Sequence, residues 1–341
     1  MGSPLKVVIY GIGPIGQLVA KVALMKKGLE IVGAIDIDPN KVGRDLGELI
    51  GLNKSLGIIV SNNADKVLQE TKPDVVLHAT RSYLDQIYPD IVRTIKVKAD
   101  FISTCETLAY PWYRYPYLAT LIDEMAKKYS VRVLGTGVNP GYRFDAVVSM
   151  ISAVCADIKR INVVVSLDAA KRRYSFQKKI GLGMTPEEFN EALTKGKITA
   201  HVGYAESVLL LASMMGVELE KVVEGQAPLV AERYLETQYF KIKPGQVKGV
   251  RGYGIGYLNG KEFIRLEFIA AVGVDEYEDV LIEGEPTIHW RNENPLVPGD
   301  IATAAMVVNV IPRVRKAPPG LLTMKDIILP SAVLGDITKW K

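Results

Sequence analysis

The chain has 341 residues, 48% hydrophobic and 23% charged, which exceeds what one hydrophobic core usually supports and suits two domains or one with a large insertion. No apolar run approaches the roughly 18 residues that would span a bilayer. A formal net charge of +4, with Lys and Arg scattered apart from "KRRYSFQKK" and "RVRK", argues against a nucleic-acid reader, which would carry a clear basic face.

Two cysteines, Cys105 and Cys155, are too few for a disulfide framework and sit in no CxxC or Cys/His cluster. The opening "MGSPLKVVIYG" runs straight into a strand without the apolar segment and cleavage site of a signal peptide. A reduced, cytoplasmic protein is expected, and no metal site.

The first stretch, "KVVIYGIGPIGQLVAKVALMKKGLEIVGAIDID", reads as a buried strand, a glycine turn, an apolar helix and a second strand. Further strands are expected at "GIIV" (57–60), "DVVLHAT" (74–80), "DFIST" (100–104) and "VRVLGTG" (131–137), most of them separated by helix-length segments. Short β-branched runs of this kind suit a parallel sheet covered on both faces, with right-handed crossovers. The expected fold class is therefore α/β, with a doubly wound parallel sheet of the Rossmann type.

Gly11, Gly13 and Gly16 form G-x-G-x-x-G around Pro14 and Ile15, directly after the first strand. Gly11 takes the tight turn, Gly13 lets the backbone approach a pyrophosphate, and Gly16 permits close helix–strand packing; the helix N-terminus adds N–H donors and a favourable dipole. Asp36 ends the second strand, where a carboxylate can bond a ribose 2′-hydroxyl. Together these point to a dinucleotide. Asp36 would repel a 2′-phosphate whereas Lys41 or Arg44 could pair with one, so NAD is favoured with NADP tolerated.

Ligands of such sheets sit outside the carboxyl ends of the strands. Thr80 and Arg81, Thr104 to Glu106, and "GTGVNPG" (135–141) are therefore expected to face a nicotinamide. Thr80, Thr104 and Gly137 join the cofactor-binding set.

From about Phe144 the alternation stops. A strand is expected at 158–168, a helix at 185–196 with a Thr185/Glu188 capping box and Pro186 in its first turn, and a buried helix at 205–216. Asn259-Gly260 between two strand-like arms is a strong hairpin signal; Ile264, Leu266, Phe268 and Ala270 share one face of the second arm, Arg265 and Glu267 the other. These features predict a second α+β domain with a mainly antiparallel sheet, one face of which could mediate dimerisation. A single helix over 299–314 should return to the first domain. The expected boundaries are 1–141, 142–295 and 296–341.

A dehydrogenase acting on a hydroxyl usually employs His or Lys as base, whereas an amine is better served by a carboxylate, which binds the ammonium and accepts its proton. Of three histidines, His78 reads as a core or cofactor-edge residue, His201 as a candidate pocket residue and His289 as structural. Glu106 is the acid expected at the catalytic edge, and Tyr110, Trp112 and Tyr113 after it would limit water access. An acid in the first turn after a strand can equally serve a helix dipole.

The set "YGIGPIGQLVAK", "AIDIDPNKVGRDLGEL", "STCETLAYPW", "GTGVNPGYRFD", "KKIGLGMTPEEF", "HVGYAES" and "NVIP" resembles 2,4-diaminopentanoate dehydrogenase and the related native amine dehydrogenases, within the wider dihydrodipicolinate-reductase-like group. The resemblance spans nearly the whole chain. It implies NAD(P)-dependent oxidative deamination, with Glu106 holding the reacting nitrogen and Gly137, Asn139, Pro140 and Gly141 beside nicotinamide and substrate. It also places Tyr174 in the pocket, makes Tyr142 a departure from the phenylalanine of many relatives, and brings Asn309 of "NVIP" into the cofactor set. The paired-histidine and lysine motif of dihydrodipicolinate reductases is missing, and Glu106-Thr107-Leu108 stands where sugar and inositol dehydrogenases have E-K-P. The favoured substrate is 2,4-diaminopentanoate; the alternatives are a promiscuous alkylamine dehydrogenase and a non-catalytic NAD-binding sensor. Arg172, Arg173, Lys178 and Lys179 are available for a substrate carboxylate but equally suit a solvated edge. The enzyme is expected to be a homodimer.

Overall fold

The computed structural model describes residues 3–293, 297–328 and 330–340. The chain forms two compact units, one of residues 1–143 and 298–341 and one of residues 144–297.

The first unit begins with β1 (Leu5–Tyr10), α1 (Pro14–Leu24) and β2 (Leu29–Ile35), then α2 (Leu46–Leu49), β3 (Val60–Ser61), α3 (Ala64–Thr71) and β4 (Val75–His78). It continues through α4 (Leu84–Lys96), β5 (Asp100–Ser103), α5 (Pro116–Tyr129) and β6 (Arg132–Gly135). The second unit contains α6 (Ala146–Ser152), β7 (Asp157–Asp168), α7 (Tyr174–Lys179), α8 (Pro186–Thr194) and α9 (Tyr204–Met214), then β8 (Lys221–Val230), β9 (Leu235–Glu236), β10 (Lys241–Ile242), β11 (Val247–Leu258), β12 (Lys261–Ala271), β13 (Tyr277–Glu285) and β14 (Ile288–Glu293). The return to the first unit supplies α10 (Gly299–Asn309), α11 (Ile311–Lys316) and β15 (Gly320–Leu322).

Seven strands of the first unit form one parallel sheet in the order β15-β6-β5-β4-β1-β2-β3. Its central strands are apolar and buried along their length, as expected where both faces are covered: Val7, Val8, Ile9, Val75, Val76 and Leu77 are all fully buried. Helix α10 packs on α1.

Two expectations are corrected here. The segment 57–60 is a strand only at Val60, because the Asp45 carboxylate takes the amides of Gly47, Leu56 and Ile58 (2.8, 2.9 and 3.1 Å) and holds that stretch against the start of α2. The expected helix 299–314 is two helices: Pro312 lacks the N–H that a continuous helix needs, so α10 ends at Asn309 and α11 restarts at Ile311.

The second unit has a six-stranded sheet in the order β14-β13-β7-β12-β11-β8. Its neighbours are antiparallel except for the parallel pair β7–β12. Asn259 and Gly260 make the β11–β12 hairpin with positive φ at both positions (52° and 71°), and the carboxylate of Glu220 accepts both their amides. Ile264, Leu266, Phe268 and Ala270 are buried in the core, with Phe144 edge-on to Phe268. Arg265 and Glu267 lie on the opposite face, where Arg251 pairs with Glu267 at 2.7 Å. The capping box of α8 forms as expected, with Glu188 N–H donating to Thr185 Oγ1 and Thr185 N–H to Glu188 Oε2.

Candidate active site

In the first unit the carboxyl ends of β1, β4, β5 and β6 lie side by side, which brings the glycine turn, Thr80, Thr104 with Glu106, and the turn 135–141 to one edge of the sheet. Gly11 sits at φ +93°, and a Cβ there would lie 2.5 Å from the carbonyl oxygen of Ala79. A Cβ on Gly16 would approach the Gly11 oxygen to 1.7 Å, so only glycine lets α1 start so close to the strand. Gly13 differs: it has ordinary backbone angles as the N-cap of α1, no side chain caps the helix, and a Cβ there would meet nothing within 4 Å. Space in front of uncapped helix N–H groups, with Pro14 at the first helical position, fits a dinucleotide pyrophosphate.

The Asp36 carboxylate is already structured. Its Oδ2 accepts the Ile12 amide at 2.6 Å and its Oδ1 the Asp38 amide at 2.8 Å. Lys41 Nζ stands 3.2 Å from Asp36 and 3.3 Å from Asp38. Arg44 turns to Glu48 at 2.5 Å.

Glu106 begins a single 3-10 turn, Glu106–Leu108, after β5 and is half-buried. Three anchors set this turn. Cys105 N–H donates to Ser103 Oγ (3.0 Å), Thr107 N–H and Oγ1 both donate to the Ser82 carbonyl (3.2 Å each), and Leu84 N–H donates to Thr107 Oγ1 (2.8 Å). Gly135 is the floor beneath it: a Cβ there would come within 2.5 Å of the Leu108 backbone. Burial, with the Glu106 charge second, pushes the Cys105 thiol up to about 12, so Cys105 is a packed apolar group and not a nucleophile. Tyr110 and Trp112 meet edge-on at 5.6 Å, while Trp112 and Tyr113 remain exposed.

The turn after β6 carries a cis Asn139–Pro140 bond and Gly141 at φ +123°, where a Cβ would lie 2.6 Å from the Gly137 amide. Asn139 Oδ1 is buried and lacks a hydrogen-bond partner among the described residues, an acceptor that a buried polar ligand would satisfy. Thr303 of α10 stands behind Gly137. Tyr142 is half-buried. Asn309 Oδ1 accepts the Val333 amide at 3.2 Å and so ties α10 to the C-terminal segment.

In the second unit, Tyr174 is half-exposed and stacks on Phe240 (5.6 Å, 8° between planes) with Tyr239 edge-on. The fully buried Gln177 was not singled out by sequence reasoning. It donates to the carbonyls of Ala170 and Arg172 and accepts the Thr237 hydroxyl, fastening the Tyr174 segment to the loop that bears Phe240. His201 lies between Tyr204 and Phe268 (centroids 4.7 and 4.8 Å). Burial and then the charge of Lys179 hold its imidazole well below the usual range, so the ring is neutral. Its Nε2 and the Tyr204 hydroxyl are buried without hydrogen-bond partners among the described residues. His289 is surface-placed and paired with Asp279 at 2.9 Å. Among the described residues no group of three or more His, Cys, Asp or Glu is placed to hold a metal ion, and no helix is long and apolar enough to cross a membrane.

The parallel sheet, the glycine turn and the acid at the end of β2 define a dinucleotide-binding oxidoreductase. Residues 5–93 match the family model of the dihydrodipicolinate reductase N-terminus, and residues 142–341 match that of the 2,4-diaminopentanoate dehydrogenase C-terminal domain. The chain is 34% identical to 2,4-diaminopentanoate dehydrogenase of Acetoanaerobium sticklandii, over 97% of this chain and 95% of that one. It is 24% identical to an amine dehydrogenase of Streptomyces virginiae, over 96% and 97%. The solved structure of an amine dehydrogenase from Mycobacterium smegmatis superposes with a TM-score of 0.87 at 26% identity, covering 98% of both chains. The chain belongs to the 2,4-diaminopentanoate dehydrogenase family.

Proposed function

We propose that the protein is an NAD(P)-dependent amine dehydrogenase that oxidatively deaminates 2,4-diaminopentanoate to 2-amino-4-oxopentanoate and ammonia, and in reverse aminates the ketone. The observation that carries this reading is the placement of Glu106 at the edge of the parallel sheet that bears the glycine turn, where a carboxylate suits an ammonium better than an alcohol. The name of the Acetoanaerobium relative supports the substrate.

Gly11, Gly13, Pro14, Ile15 and Gly16 would cradle the pyrophosphate, Asp36 the adenosine ribose, and Thr80, Thr104, Gly137 and Asn309 the remainder of the dinucleotide. When bound, the nicotinamide supplies the hydride acceptor. Glu106 pairs with the substrate ammonium, orients its carbon–nitrogen bond and accepts a proton. Once that proton has passed to solvent, the Glu106 carboxylate takes a proton from the water that adds to the iminium carbon and gives it to the nitrogen, which departs as ammonia. Asn139 offers its buried carbonyl to a substrate N–H, and Tyr142, Tyr174 and His201 are the further residues proposed to contact substrate. A neutral His201 can accept from a second ammonium without repelling it.

NAD is the favoured cofactor because the one ammonium of Lys41 is shared between Asp36 and Asp38, which leaves net negative charge where a 2′-phosphate would sit; NADP binding then requires Lys41 to leave both carboxylates. The face of the β11–β12 hairpin turned away from the core, which carries the exposed Arg251 and Tyr253 beside Glu267, supports a homodimer, and we place the enzyme in the cytoplasm. A second reading, a dehydrogenase of short alkylamines, is favoured by the aromatic wall of Tyr174, Tyr239 and Phe240 and by the names of the amine dehydrogenase relatives.

Purified enzyme assayed for NADH formation with 2,4-diaminopentanoate, short alkylamines and secondary alcohols decides between these. Glu106→Gln should keep NADH binding while lowering turnover by about 100-fold or more. Near wild-type turnover in that variant would overturn the assignment of Glu106.

A further inference from the structure

His78 is the last residue of β4 and is completely buried, in ring contact with Tyr10 (5.3 Å) and Phe101 (4.9 Å). An apolar residue would fill this place at less desolvation cost, so its two nitrogens call for an account. Nδ1 is 2.8 Å from Ser103 Oγ, and Nε2 is 2.8 Å from Thr80 Oγ1 with Asp90 Oδ2 at 3.5 Å. Asp90 accepts the Tyr10 hydroxyl at 2.7 Å and Arg93 at 2.9 Å.

The Asp90 charge orders the hydrogens. A neutral imidazole carries one N–H, and a carboxylate beside Nε2 favours the hydrogen there and disfavours a lone pair. Nε2–H then donates to Thr80 Oγ1, and Nδ1 becomes an acceptor. Ser103 must donate its hydroxyl to Nδ1, which turns the remaining lone pairs of Oγ to the Cys105 amide at 3.0 Å. The next residue is Glu106. With the opposite tautomer Ser103 Oγ would accept from both Nδ1–H and Cys105, its own hydrogen would be left over, and Asp90 would face an imidazole lone pair.

We propose that His78, fixed as the Nε2–H tautomer by Asp90, is a positioning residue that holds the Ser103–Cys105 turn and thereby the Glu106 carboxylate, while orienting the Thr80 hydroxyl on the neighbouring strand end. This rests on the proposed role of Glu106. With both its nitrogens engaged, His78 is not the proton acceptor; it sets where the acceptor stands.

Two amide variants separate positioning from packing. The polar atoms of His78→Asn fall near Nδ1 and can keep the Ser103 contact; those of His78→Gln fall near Nε2 and keep Thr80 and Asp90 but release Ser103. We expect His78→Asn to retain kcat within about threefold and His78→Gln to lose about tenfold or more, as misplacement of a reacting group does; NADH affinity should hold in His78→Gln, which keeps the Thr80 contact, and weaken in His78→Asn, which releases it. Equal losses, or losses that follow the melting temperatures, would overturn the proposal. Independently, 15N NMR of the three histidines at pH 7.5, with His78 assigned by its absence in His78→Asn, should show a neutral ring protonated at Nε2 in the wild type and a mixture of tautomers in Asp90→Asn. A wild-type hydrogen on Nδ1 would sink the chain of bonds. A wild type that forms no NADH from any amine would instead overturn the proposed activity, while the tautomer measurement still decides the hydrogen-bond order.

Discussion

Asp36 accepts the backbone amide of Ile12 at 2.6 Å, so the acid at the end of β2 is also a strut of the glycine turn. In the proposed cofactor site its charge would serve twice, once by holding the loop and once by offering an acceptor to the ribose. Hydrogen bonds to charged groups contribute about 1.5–3 kcal/mol. Asp36→Asn should weaken NADH binding by about tenfold or more and also lower the melting temperature of the ligand-free protein; titration of NADH fluorescence and a thermal scan read the two effects separately.

Lys41 bridges Asp36 and Asp38. Its burial is partial, so its removal should cost little stability, about 1 kcal/mol or less. Lys41→Ala should leave NADH affinity within about twofold and reduce NADPH affinity further, as measured by parallel titrations at low and high salt. A larger loss for NADH than for NADPH would show that Lys41 does not meet the 2′-position.

The glycines of the turn should respond oppositely to one methyl group. Gly13→Ala meets no protein atom and suits its backbone angles, so the fold should melt near the wild-type temperature while NADH binding falls by about tenfold or more. Gly16→Ala drives a carbon into the Gly11 carbonyl and should destabilise the unit by about 3 kcal/mol or more. Circular dichroism melts combined with NADH titration distinguish lost space from lost fold.

Burial holds His78 and His201 below the ordinary histidine range. Each is neutral when folded and gains a proton when unfolded below about pH 6.5. The unfolded state then binds more protons, so stability rises with pH up to about 6.5 and is level above it. Urea unfolding should show this break, with a slope approaching about 1.4 kcal/mol per pH unit for each histidine, and His78→Asn should make the slope shallower.

Features set by neighbours in the chain are legible in the sequence. The glycine turn, the Thr185/Glu188 box and the Asn259-Gly260 hairpin each depend on a few adjacent residues, and each appears in the fold. What escaped depends on distant partners or on one interrupting residue. Nothing near 57–60 announces that Asp45 will capture its amides, and the Pro312 break lies within an otherwise helical pattern. The alternating faces of β12 were readable, yet its parallel pairing with β7 was not, because direction is fixed by topology and not by the pattern of one strand. The His78–Asp90–Ser103 chain unites residues 12 and 25 positions apart, and only a polar residue at the end of a buried strand hints at it. Glu106 could be placed at the sheet edge from sequence; its anchoring through Ser82, Leu84 and Gly135 could not.

Strand β15 pairs with β6 across the whole length of the intervening unit in sequence. During synthesis the first sheet thus waits for its outermost strand until the whole of residues 144–297 has been made. The β6 edge stays open to stray pairing in the meantime, so ribosome-bound chains stopped before residue 320 should be more prone to protease cleavage and to association than full-length chains.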